Sequence, residues 1–153
     1  MTFLELKISP VMLTVILAGL MWLAYRHTPG FPITGGLQLI VVILLAAIAV
    51  LVGLAAVISF RKARTTVNPW TPNASSSLVK TGIFSKSRNP MYVALLIALL
   101  AWALYLANAL ALALAVVFVP YMNRFQIQPE ERALEKTFGV VYQEYKNQVR
   151  RWI

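Results

Sequence analysis

Between Leu39 and Ile58 the chain runs for 20 residues without a charged or polar side chain. In hydrocarbon such a segment satisfies its own backbone only as a helix, and about 20 apolar residues of helix cross a bilayer. With its flanks the run predicts a helix from about Leu37 to Phe60. Composition points the same way. Hydrophobic residues make up 59% and charged residues 12%, where soluble domains carry about 45–50% and about 25%. An ordinary soluble domain and a disordered chain are both excluded, which leaves an all-α integral membrane protein. At 153 residues it reads as a single domain. Cysteine is absent and His27 is the sole histidine. No disulfide framework, zinc–thiolate centre or His-rich metal site is therefore expected, and no metal is assigned.

Two further apolar stretches follow from the same criterion. Ile8 to Tyr25 is a candidate span whose start is interrupted by Ser9, Pro10 and Thr14. No small-residue cleavage site follows it, so it reads as a retained helix rather than a signal peptide. Met91 to Tyr121 is 31 residues without a charge. As one helix it would be about 46 Å long, against a hydrocarbon core of about 30 Å. A hairpin turning at Asn108 resolves the excess, with helices over roughly Pro90–Ala107 and Ala109–Phe125. Pro120 should bend the second. The expected organisation is two N-terminal spans (1–60), a loop (61–89), a helical hairpin (90–125) and a helical tail (126–153).

Charge orders these four spans. The chain has 14 Lys and Arg against 5 Glu, with no Asp, a net charge of +9. Placing both termini and the 61–89 loop on one side gathers every basic residue there except Arg26, as the positive-inside rule asks. The expectation is a bacterial or archaeal cytoplasmic membrane with both termini cytoplasmic. Basic residues spread along one membrane face do not form a nucleic-acid footprint.

The hairpin then brings three polar elements to one depth. These are the loop around Leu78–Phe84, the Arg88-Asn89-Pro90-Met91-Tyr92 start of the third span, and Glu130-Glu131 after the fourth. Pro129 suits a first helical position, which would put both glutamates in a first turn, favoured by the helix dipole. Beyond Gly139, Val141, Tyr142, Tyr145, Val149 and Trp152 recur at helical spacing. That stripe predicts an amphipathic helix able to lie on the membrane surface. A pocket with both signs of charge and apolar walls suits a zwitterionic small molecule. From these residues alone, three classes stay open: a group-transfer enzyme, a nicotinamide-dependent membrane reductase, and a non-catalytic protein binding lipid or a partner.

The ordered set Leu78-Val-Lys-Thr-Gly-Ile-Phe84, Ser87-Arg-Asn-Pro-Met-Tyr92, Glu130-Glu-Arg-Ala-Leu134 and Phe138-Gly-Val-Val-Tyr-Gln-Glu-Tyr145 resembles the isoprenylcysteine carboxyl methyltransferase family. More distantly it resembles the phospholipid N-methyltransferases. The resemblance implies a membrane methyltransferase using S-adenosyl-L-methionine, with the tail helices closing a cofactor pocket and a lipophilic acceptor arriving from the bilayer. Carried over by position, the cofactor contacts are Ser76, Ser77, Leu78, Val79, Phe84, Asn89, Pro90, Met91, Tyr92 and Glu130. Candidate substrate contacts are Arg88, Arg124, Gln126 and Glu131, and no catalytic residue is assigned. Methyl transfer from a sulfonium needs alignment and water exclusion rather than a nucleophilic side chain. The acceptor implied is a carboxylate such as a prenylcysteine-like compound. Here the chain departs from the pattern. Asn89 stands where the family has His, Ser76 where eukaryotic members have another His, and Gln126 where they have a substrate-orienting Arg.

Overall fold

The computed structural model describes residues 5–32, 35–63 and 78–153. Among them every regular element is helical. Helix α1 spans Pro10–His27, α2 Gly35–Lys62, α3 Pro90–Leu106, α4 Ala109–Met122, α5 Gln128–Phe138 and α6 Val140–Gln148. A short 3₁₀ turn at Gly82–Ser85 precedes α3, and a π-helical turn at Asn123–Ile127 joins α4 to α5. Three helical runs are long and apolar enough to cross a membrane: Pro10–His27, Gly35–Lys62 and Ala109–Phe138. Helix α3 is equally apolar but, at 17 residues, shorter.

The residues that seemed to interrupt the first span in fact start it. The Ser9 hydroxyl accepts from the Met12 amide at 3.1 Å, and Pro10 takes the first helical turn, where its missing N–H costs nothing. The Thr14 hydroxyl donates to the Pro10 carbonyl at 2.8 Å, so its polarity is satisfied within the helix.

The hairpin turns where sequence placed it. Helix α3 ends at Leu106, Ala107 adopts a left-handed conformation (φ 46°), and Asn108 caps α4. The fully buried Asn108 side chain works in two directions. Its Oδ1 accepts from Ala111 N–H at 3.0 Å, and its Nδ2 donates to Thr28 Oγ1 at 2.8 Å. The turn is thereby fastened to the end of α1. Phe31 N–H donates to the Ala107 carbonyl at 2.8 Å. A Cβ on Gly30 would lie 2.9 Å from that carbonyl oxygen, so only glycine permits the approach.

Leu13, Leu17 and Met21 of α1, Leu99, Ala103 and Leu106 of α3, and Ala111, Ala115, Phe118 and Met122 of α4 make the main core. Their spacing of three and four residues gives each helix one inward stripe. The alanines let backbones approach closely, the usual solution where lipid supplies no hydrophobic drive between helices. Helix α2 lies along α3, yet only Ala49 and Ala56 are buried on it. Many of its large side chains face outward, Ile43, Leu44, Val50, Leu51 and Leu54 among them.

Candidate functional site

The end of the bundle bearing the start of α3 and the α4–α5 junction gathers the charged residues. Its geometry begins with Pro129. The run from Ala109 to Phe138 is helical throughout, so Pro129 does not open a free helix. Having no N–H, Pro129 cannot bond the carbonyl four residues back, that of Phe125. The backbone widens to a π turn, with Gln128 N–H donating to the Asn123 carbonyl. The Phe125 carbonyl is taken instead by Leu6 N–H at 3.0 Å. Glu130 and Glu131 stand in the first turn of α5 behind Pro129, as expected. That turn runs on from the π turn, and side-chain hydrogen bonds hold both carboxylates.

Each glutamate has its own partners. Glu130 Oε1 accepts from the Tyr92 hydroxyl at 2.6 Å and from Gln126 Nε2 at 2.5 Å. Gln126 and Tyr92 are both buried, so this carboxylate is fixed across the gap between α3 and the π turn. Both bonds end on Oε1. Among the described residues no hydrogen bond reaches Oε2. Glu131 lies between two guanidinium groups: Arg88 Nη2 at 2.8 Å from Oε1 and Arg151 Nη2 at 2.6 Å from Oε2. Its side chain is 9% exposed and that of Arg88 10%. The hydrogen bonds from Arg151 to Glu131 raise the guanidinium pKa further.

Arg88 does more than neutralise Glu131. Its Nη1 donates to the carbonyls of Lys146 and Val149, each at 3.0 Å, and its backbone N–H donates to the Arg150 carbonyl at 3.0 Å. Asn89 Nδ2 donates to the Arg151 carbonyl at 2.8 Å, while its own amide is held by the buried Ser87 Oγ at 3.1 Å. Trp152 Nε1 donates to Asn123 Oδ1 at 3.0 Å. Residues 146–152 thus form a strap across the N-terminus of α3, held by Arg88 Nη1 and Asn89 Nδ2.

The apolar half of the site lies beside this strap. Val79 and Phe84 are buried against Ala56 of α2, and Phe84 meets Phe60 edge to face at 5.0 Å. Met91 packs against both this cluster and the main core. Leu78 packs with Tyr142, Tyr145 and Val149. The Tyr145 hydroxyl donates to the Phe84 carbonyl at 2.6 Å. Burial pushes the Tyr145 phenol up to about 12 and raises that of Tyr142 as well, so both stay protonated at neutral pH. The tail stripe expected to lie on the membrane is corrected accordingly. Tyr142, Tyr145 and Val149 face inward and cover the loop that precedes α3. Gly139, at φ 51°, lets α6 turn back from α5 to do so.

Of the residues named from sequence, Leu78, Val79, Phe84, Arg88, Asn89, Pro90, Met91, Tyr92, Gln126, Glu130 and Glu131 are brought to this one end. Arg124 is not brought to the cluster: its side chain is 48% exposed and faces Glu5 at 3.5 Å, alongside Arg132 at 2.8 Å. Ser76 and Ser77 lie outside the described residues. Sequence reading gave no site role to Arg151, or to Tyr145 and Ser87, which stood in its motifs. One signal pointed to the first, because a buried carboxylate demands a cation.

S-adenosylmethionine would ask three things of such a site: an apolar wall for adenine, an acceptor for hydroxyl or ammonium groups, and donors for a carboxylate. Val79, Phe84 and Met91 supply the first, and Glu130 Oε2 the second. For the third, the buried Arg88 Nε has no hydrogen-bond partner among the described residues. The residues present fit the group.

Comparison with known proteins agrees. Residues 37–140 match the phospholipid methyltransferase family. A Haemophilus influenzae protein described only as uncharacterized is 49% identical over 63 residues, which is 41% of this chain and 100% of that protein. No solved structure matches the chain.

Proposed function

The chain belongs to the phospholipid methyltransferase family, and on that footing we propose that it transfers a methyl group from S-adenosylmethionine to a lipophilic acceptor drawn from the membrane. The observation that carries the proposal is the Glu130 carboxylate, anchored by Tyr92 and Gln126 with one oxygen left over. In this reading that oxygen accepts from the cofactor's ribose hydroxyls or ammonium group. Val79, Phe84 and Met91 wall the adenine, and the strap with α6 excludes water. When bound, the cofactor supplies both the methyl group and the leaving group, because its sulfur is already a sulfonium. The protein's part is to align the acceptor in line with the methyl–sulfur bond and keep the site dry.

The acceptor reaches the site between apolar helices. Neither arginine that sequence offers is left for an acceptor carboxylate: Arg88 holds Glu131 and the tail carbonyls through its Nη atoms, with only Nε left for the cofactor, and Arg124 faces Glu5. Gln126, in the place of the substrate arginine, is committed to Glu130. An amine or other uncharged nucleophile therefore suits the site better than a prenylcysteine carboxylate. Four crossings, with α3 as the short one and both termini on the cytoplasmic side, complete the proposal.

Isothermal titration of the detergent-purified chain with S-adenosylhomocysteine tests it. Saturable binding at one site is expected. Glu130→Ala should weaken it at least about tenfold, the size of a lost hydrogen bond to a charged group, and Tyr92→Ala should weaken it in the same direction. No saturable binding, or unchanged affinity in both variants, breaks the assignment. Incubation with labelled cofactor and vesicles of phosphatidylethanolamine, against a prenylcysteine analogue, then separates amine from carboxylate acceptors.

A further inference from the structure

At the opposite end of the bundle a cavity of about 550 Å³ opens between the end of α1, the start of α2 and the end of α3. Its walls include four aromatic side chains, Trp22, Tyr25, Trp102 and Tyr105, together with Gln38 and Leu39. Tyr105 is 13 residues along α3 from Tyr92, about 20 Å at helical rise. The cavity therefore cannot share a ligand's reacting atoms with the Glu130 site.

Two polar pins fix its walls. Trp102 Nε1 donates to the Ala18 carbonyl at 3.1 Å, tying α3 to α1. Gln38 Nε2 donates to the Leu104 and Tyr105 carbonyls at 2.7 and 3.1 Å, tying α2 to the end of α3. Trp102 and Tyr105 stack, with ring centroids 5.4 Å apart and planes 15° apart. The cleft is held open by these bonds rather than by accidental poor packing, and its volume lies within the range of small-ligand pockets.

Charge decides the occupant. The Arg26 guanidinium sits 5.5 Å from the ring centre of Trp22, itself a wall of the cleft. Among the described residues Arg26 has no carboxylate partner, and it is the lone Lys or Arg on this side of the four-span arrangement. An apolar, aromatic-lined groove with one cation on its rim, at the depth where Trp and Tyr mark a membrane interface, matches an acyl chain ending in an anionic headgroup.

We infer that this cleft binds one anionic phospholipid, its chain against Trp102 and Tyr105 and its phosphate against Arg26, in the leaflet opposite the methyl-transfer site. The site is a second lipid site, separate from the acceptor's.

Native mass spectrometry of the detergent-purified full chain tests the inference, with dioleoylphosphatidylglycerol and dioleoylphosphatidylcholine supplied at equal concentration. One phosphatidylglycerol should be retained about fivefold over phosphatidylcholine, the preference one arginine confers near an interface. Arg26→Gln should abolish the preference, and Tyr105→Ala should lower retention of both lipids. Both residues are exposed, so neither change threatens folding, and thermal unfolding checks this. No retained lipid, equal retention of the two, or a preference that survives Arg26→Gln overturns the inference. S-adenosylhomocysteine binding, measured on the same variants, should be unchanged. Its absence from the unaltered chain would overturn the methyltransferase reading while leaving the lipid site standing.

Discussion

The two ends of the helix bundle solve one problem with different chemistry. At the α3–α4 turn, backbone and side-chain polar groups are matched by neutral partners: Asn108 to Thr28 and Ala111, Gln38 to two carbonyls, Phe31 to Ala107. At the α4–α5 junction the matching is ionic. Arg88 and Arg151 enclose Glu131, and Glu130 is held separately by Tyr92 and Gln126. A neutral closure needs only to be satisfied. At the ionic closure both hydrogen bonds to Glu130 end on one oxygen, and on our proposal the other is kept for the cofactor. On the proposed function, two adjacent glutamates divide the labour, Glu131 structural and Glu130 facing the cofactor.

Three substitutions break or sharpen this contrast, in falling order of effect. Glu131→Ala leaves Arg88 and Arg151 facing each other without their anion. Loss of one partner of a buried pair costs about 3 kcal/mol or more, so chemical denaturation should show that loss along with release of the 146–152 strap to proteolysis. Asn108→Ala removes a helix cap and an interhelical bond at the neutral end. About 2 kcal/mol is expected by the same measurement, with S-adenosylhomocysteine affinity unchanged if the two ends are independent. Tyr92→Phe removes a single hydroxyl from Glu130, and about 1 kcal/mol of stability should go with it. Its distinguishing mark is a fall in cofactor affinity that Asn108→Ala does not produce. Equal effects of the last two on affinity would show that the ends are coupled.

Much of this arrangement was written in local pattern. Apolar run length gave the helices, and Asn108 gave the turn because a lone amide in a charge-free stretch has few other uses. The ordered motifs gave the meeting of Tyr92 with Glu130. What stayed hidden lies in pairs far apart in the chain. Arg151 finds Glu131 across 20 residues, Arg88 finds Glu131 across 43, and Arg132 finds Glu5 across 127. No periodicity encodes such pairings. Pro129 was legible as a first-turn residue of α5, but the π turn that leads into it was not, for a physical reason. A proline is equally compatible with opening a helix and with passing through one at a widened turn, and the choice depends on whether another donor reaches the stranded Phe125 carbonyl. The stripe of α6 was likewise correctly seen as apolar but assigned the wrong cover, since a sequence shows that a face must be buried and not by what.

The π turn at Asn123–Ile127 makes the site sensitive to where the chain changes length as well as to residue identity. A widened turn accommodates one more residue than the α-helix it interrupts, so the helix beyond it keeps nearly the face it would have without that residue. In regular α-helix nothing absorbs a change, and one residue is about 100° of rotation. A single residue inserted or deleted within α4 would carry Glu130 about a quarter-turn away from Tyr92, with every contacting side chain still present. Substitutions can weaken this site by degrees, but a one-residue indel in α4 would dismantle it in one step.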